Sequence, residues 1–155
     1  MSATNKIEFK LEGEKNWEAF DAPSLVGNSL RFVSGDPEGQ RFRVRYFRVP
    51  QGDLIARVWF GPETEGPPGH SHGGAMAAVL DEVLGLAAWA AGHPIVVGKL
   101  NIHFSQLLPL ETVMQVESEI VSVEGRKVKV KGKIVGADGT IYASADCLCI
   151  NILKS

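Results

Sequence analysis

The stretch from residue 74 to 91 constrains the fold more than any other part of the chain. Its side chains are nearly all apolar and mostly small: Ala75, Met76, Ala77, Ala78, Val79, Leu80, Val83, Leu84, Leu86, Ala87 and Ala88. Gly92 and Pro94 then end it, as a glycine and a following proline end a helix. A helix that is apolar all round must be enclosed, so the remaining residues have to supply the enclosure. Four strand-like runs follow, at about 95–105, 113–123, 127–135 and 140–151. The short connections at 107–111, 124–126 and 136–139 make consecutive strands antiparallel. Upstream, residues 41–49 alternate charge with apolar bulk, 50–53 turn, and 54–60 read as a partner strand. Residues 61–71 hold three prolines and three glycines and read as a loop. Before that, a short helix near 14–20 and a looser arm to about residue 40 are expected. The whole reads as a single α+β domain over 1–155, with five or six antiparallel strands wrapped around one long central helix.

Composition removes several classes. Sixteen basic against eighteen acidic residues give a net charge of −2, which argues against nucleic-acid binding through phosphate neutralisation. Cys147 and Cys149 are the two cysteines. They point to one face of one strand, too constrained locally to bridge each other, so buried reduced thiols are expected. Residues 1–10 lack the layout of a signal peptide, and the longest apolar run is interrupted by Asp81 and Glu82. A cytoplasmic protein without membrane association is the resulting expectation.

Two features of the helix invite chemistry. Its start, His70-Ser71-His72-Gly73-Gly74, offers free N–H groups and the positive end of the dipole, which attract an anion or a polarised carbonyl oxygen. Glycines there leave the approach open, and backbone alone can form an oxyanion site; a tight turn for close packing explains the same residues equally well. The second feature is Asp81-Glu82 amid apolar residues. The two differ by about 100° around the helix, so one faces inward and the other faces solvent or an interface. A carboxylate at a cleft is a candidate base or nucleophile. Gly73 and Asp81 lie eight residues, or about 12 Å, apart along the axis. If both act on one bond they come from different chains, which predicts a symmetric dimer.

His72-Gly73-Gly74 followed by Asp81, on a long helix among antiparallel strands, resembles the hotdog-fold acyl-CoA thioesterases of the phenylacetate-pathway type. Residues 65–69 (EGPPG), 100–102 (LNI), 108–110 (LPL) and 123–127 (VEGRK) are similar to animal thioesterase superfamily members 4 and 5. The resemblance covers about 61–154. It implies hydrolysis of an acyl-CoA to carboxylate and coenzyme A, with no cofactor. The Gly73 amide, aided by Gly74, polarises the carbonyl; Asp81 of a partner chain acts as base or nucleophile; His72 shapes the helix start. His103, Ser105, Arg126 and Lys127 match positions that meet coenzyme A, and basic groups suit its phosphates. The partners implied are acyl-CoA and further copies of the chain, as a dimer or a dimer of dimers. Two polar helpers of some relatives are absent, with Val97 and Gly66 at the corresponding positions.

Two rival readings remain at this stage. One is a hotdog dehydratase acting on 3-hydroxyacyl thioesters, with His72 and Asp81 as its base and acid. The other is a non-catalytic acyl-CoA binding module. His70-x-His72 lacks the further ligands a zinc site needs, so no metal is expected. Lys127, Lys129, Lys131 and Lys133 alternate with smaller or apolar residues and read as the solvated face of a strand.

Overall fold

The computed structural model describes residues 8–22 and 31–154. Seven strands and one long helix follow in the order β1 (Glu18–Phe20), β2 (Phe42–Arg48), β3 (Leu54–Phe60), α1 (Gly73–Ala90), β4 (Ile95–Phe104), β5 (Thr112–Glu124), β6 (Lys127–Val135) and β7 (Ile141–Asn151), with a single 3-10 turn at Pro62–Thr64. The strands form one antiparallel sheet in the order β1-β2-β3-β5-β6-β7-β4.

The sheet curls around α1, whose Met76, Val79, Leu80, Val83, Leu84, Ala87 and Ala88 are buried. The inward positions of the strands supply the other half of the core, including Ala56, Val58, Phe60, Val116, Val128, Val130 and Ile134. At the centre the two layers approach so closely that a Cβ on Gly132 would lie 2.5 Å from Leu84 Cδ2 and 2.4 Å from the Glu117 carbonyl. The C-terminal end of α1 closes as the sequence suggests. Gly92 takes φ +91°, its N–H donates to the Trp89 carbonyl and that of His93 to the Ala88 carbonyl, the paired bonds of a Schellman motif.

Three expectations are corrected. The sheet has seven strands rather than five or six. The additional one is β1, where a helix was expected near 14–20; the residues pair instead with the open edge of β2, Ala19 opposite Phe47. That edge satisfies backbone groups a short helix would leave unpaired at both ends. The third concerns β4 and β5, which are consecutive but not neighbours. Residues 105–111 carry the chain across, so that β5 pairs β3 and β4 becomes an edge beside β7.

The described N-terminal residues lie on the outer side of the sheet, over Arg57 of β3. Arg57 is only 2% exposed. Its guanidinium donates to Gln115 Oε1 (2.8 Å), to the Lys10 carbonyl (2.9 Å) and to Glu14 Oε1 (3.1 Å), between the rings of Phe9 and Trp17. A buried cation needs such a full set of acceptors.

Candidate active site

His72 precedes the first turn of α1 with φ −62° and ψ 139°, and its Nδ1 accepts from the Gly74 N–H at 2.8 Å. That bond places the proton of the neutral ring on Nε2. The Gly73 N–H, one residue earlier, has no acceptor among the described residues. One amide at the positive end of the helix is therefore open, while its neighbour is occupied by the cap. Gly66 lies under the imidazole: a Cβ there would fall 2.7 Å from His72 Cα. This backbone leaves no room for the side chain that some relatives carry at the position. The loop is held in place by the Ser71 N–H on the Leu108 carbonyl (2.8 Å) and the His72 N–H on that of Thr64 (2.6 Å). His70 turns away, with Nδ1 2.9 Å from the Pro68 carbonyl.

The two carboxylates of α1 separate as the 100° step requires. Glu82 faces the protein: the Tyr46 hydroxyl donates to its Oε2 and Ser34 Oγ to its Oε1 (3.3 Å). Burial and the Glu82 charge push the Tyr46 phenol far above its usual range. Asp81 faces outward, on a stripe of Gly74, Ala77, Ala78 and Asp81 whose residues are exposed or half-buried. Its carboxyl is exposed, yet packed closely enough against apolar neighbours that desolvation raises its pKa above the ordinary aspartate value. The charge of Asp81 also reaches Cys147 and Cys149 on the facing side of β7. These are free, buried thiols with sulfurs 3.4 Å apart. Their mutual hydrogen bond and burial hold the Cys147 thiol well above its usual range, so it stays protonated.

The sequence-derived site residues fall into three places. His72, Gly73 and Gly74 meet at the start of α1. The ring of Phe104 lies beside them, 3.7 Å from where a Gly73 Cβ would be. His103 and Ser105, one residue either side of Phe104, are exposed at the same end of β4. Asp81 is half a helix away. Arg126 and Lys127 sit at the far end, where Lys127 pairs Ile150, Asn151 pairs Ile95 and Trp89 Nε1 donates to the Ile95 carbonyl (3.1 Å). Seventeen helical steps span about 26 Å, so one chain does not gather these groups around one carbonyl. Val97 stands in β4 opposite Cys149 and against Gly85 of α1, an apolar setting.

A curled antiparallel sheet around one long helix is the hotdog fold, and comparison with known proteins agrees with that class. Residues 68–143 match the family model described as Thioesterase superfamily. Among curated proteins the chain is similar to the acyl-coenzyme A thioesterase THEM4 of Rattus norvegicus, 34% identical over 135 residues, which cover 86% of this chain and 58% of that protein. The acyl-coenzyme A thioesterase THEM5 of Homo sapiens is 35% identical over 92 residues, covering 59% and 37%. The chain thus spans about half the length of these relatives or less. A crystal structure of a thioesterase superfamily protein superposes with a TM-score of 0.67 at 31% identity, covering 70% of this chain and 53% of that one. A hypothetical thioesterase from Streptococcus pneumoniae, solved with coenzyme A, gives 0.65 at 17% identity and shares the fold.

Two groups of residues escaped the sequence reading. The partners of Glu82, Tyr46 and Ser34, come from segments 36 and 48 residues away and leave no local pattern. Arg57 did leave a signal, a lone charge in the apolar run Leu54–Phe60, of the same kind that drew attention to Asp81.

Proposed function

We propose that the chain hydrolyses acyl-CoA thioesters at two equivalent sites, each built from the helix start of one protomer and Asp81 of another. The observation that carries this is the Gly73 N–H at a helix start, free among the described residues, together with an exposed carboxylate on the same helix about 12 Å away. With two such helices antiparallel, each start meets the middle of the other, and the far end of one chain, with Arg126 and Lys127, comes toward the first chain's Gly73. The same arrangement covers the small-residue stripe. β4 adjoins it as an edge strand with no neighbour on its outer side among the described residues.

In this reading the thioester oxygen accepts from the Gly73 N–H, which stabilises charge developing on it. Asp81 of the second protomer removes a proton from the water that bonds to the carbonyl carbon; the C–S bond breaks and coenzyme A leaves as the thiol with that proton. If Asp81 attacks instead, C–S cleavage leaves a mixed anhydride that water hydrolyses. The raised pKa of Asp81 makes it a better base than an ordinary aspartate. His72 caps the helix and keeps Gly74 in place. Because its Nδ1 is the acceptor, Nε2 carries a proton and is not the free base a dehydratase requires. That favours hydrolysis over dehydration.

Gly73→Pro tests the amide alone. Proline is tolerated at the first helical position, and His72 already has the extended backbone a following proline demands. The variant is expected to fold normally and to lose about 10²–10³-fold in kcat, read as thiol release from acyl-CoA. Mixing Gly73→Pro with Asp81→Asn chains under exchange conditions should restore about a quarter of wild-type activity, since half the dimers are mixed and each regains one intact site. Absence of recovery despite exchange excludes the shared site. An enoyl product from a 3-hydroxyacyl-CoA would identify a dehydratase instead.

A further inference from the structure

The start of α1 has two flanks. On the β4 side stands Phe104; on the other side is a groove of about 330 Å³ running from Gly74 and Ala75 past His72 to Thr64 and Phe42, with Phe32 as its outer wall. Phe42 is buried at its base, whereas Phe32 is 75% exposed. The segment presenting Phe32 is nevertheless anchored: Val33 is in the core, Ser34 bonds Glu82 of α1, and the Gly35 N–H closes a turn on the Arg31 carbonyl at 2.9 Å. A large apolar ring is thus held uncovered on the wall of a groove that begins at Gly74, the residue after the open Gly73 amide.

We infer that this groove receives the acyl group of the thioester and selects neutral, apolar acyl groups of about eight to ten heavy atoms; the inference rests on Gly73 as the carbonyl-polarising amide. Size gives the length. At about 30 Å³ for a water-sized group, the groove holds roughly eleven. Wall chemistry gives the polarity: the Thr64 hydroxyl already donates to the Gly61 carbonyl at 2.8 Å, the charged lining residues Arg41, Glu63 and Glu65 have partners within the protein, and the two aromatic rings offer apolar surface. Charge gives the orientation. Arg41 faces Glu63 at 3.9 Å, and Glu65 accepts from the Gly69 N–H at 2.9 Å. Two carboxylates against one guanidinium repel the phosphates of coenzyme A and any acyl group ending in a second carboxylate. The nucleotide therefore leaves by the other flank. Gly73 fixes the carbonyl between the two directions.

The test measures kcat/KM for straight-chain acyl-CoAs from two to sixteen carbons and for suberoyl-CoA, with wild type, Phe32→Ala and Glu63→Lys. Both substituted side chains are exposed, and circular dichroism verifies the folds. Wild type should peak near eight to ten carbons. Phe32→Ala should lower the octanoyl-to-acetyl ratio by about tenfold, the scale of a lost apolar contact. Glu63→Lys should raise the suberoyl-to-octanoyl ratio by about two- to fivefold. Hydrolysis that continues with both ratios unmoved, or that rises steadily to sixteen carbons, overturns the acyl groove and leaves the hydrolase reading intact. A wild type without turnover overturns the hydrolase reading. Calorimetric binding of octanoyl-CoA against coenzyme A then decides the groove: tighter binding of the acylated form that Phe32→Ala abolishes supports it, and equal binding overturns it.

Discussion

Asp81 and Glu82 are adjacent, chemically alike and opposite in fate. One helical step turns Glu82 into the protein, where Tyr46 and Ser34 satisfy it, and leaves Asp81 facing out with a pKa raised by desolvation. The raised value has a consequence for stability. A carboxyl whose folded pKa exceeds its unfolded one holds more protons in the native state across that window. Ionising it as pH rises through the window therefore weakens folding. Asp81→Asn should lower thiol release by about 10²–10⁴-fold, as loss of a general base does. Its thermal midpoint at pH 7 should be no lower than that of wild type, and any gain should shrink as the pH falls toward 4. A clear drop in the midpoint at pH 7 would mean that Asp81 is an anchor like Glu82. Arg57 offers the contrast. Glu14→Gln should cost less than about 1 kcal/mol, because Glu14 is exposed and carbonyl acceptors remain. Arg57→Ala removes the hub of the contacts with Phe9, Trp17 and Gln115 and should cost about 3 kcal/mol or more in denaturant unfolding.

At the scale of the element, α1 does two jobs with one apolar sequence. Larger residues, Val79, Leu80, Val83 and Leu84, fill the curl of the sheet, while Gly74, Ala77 and Ala78 line the exposed or half-buried stripe of Asp81. Its start depends on one side chain. His72→Ala leaves the Gly74 N–H uncapped and should cost about 1 kcal/mol by denaturant unfolding. His72→Asn, with a capping oxygen, should recover most of that loss. Gly74→Ala perturbs the same contact from the other partner, since its Cβ would meet His72 Nδ1 at 2.9 Å. Most elements were legible because each carries its own period. β3 and β6 begin and end where alternation places them, and α1 is displaced by one residue. β1 was not legible: three residues without a hydrophobic period form a strand only because β2 offers an unpaired edge.

At the scale of the molecule, the chain presents an open amide, a displaced carboxylate and a distant pair of basic residues that no single copy brings together. If the shared site is correct, activity per chain should fall on dilution below the dimer dissociation constant. Sedimentation at the same concentrations should show monomers appearing in step. A strictly monomeric, fully active protein would require another partner for Gly73.

The sequence by itself determined the periodic elements, the enclosed helix, the open glycines at its start and the anomaly of a carboxylate among alanines. These are local properties, written in the spacing of neighbouring residues. Only the tertiary structure decided which carboxylate is anchored and which is free, which of two adjacent glycine amides remains open, and that β4 crosses to the edge beside β7. Each of these depends on groups brought together from distant parts of the chain, such as Tyr46 with Glu82 and Ala143 with Phe104. No local period encodes such meetings. They follow from the closure of one sheet around one helix, which fixes the register of every strand at once.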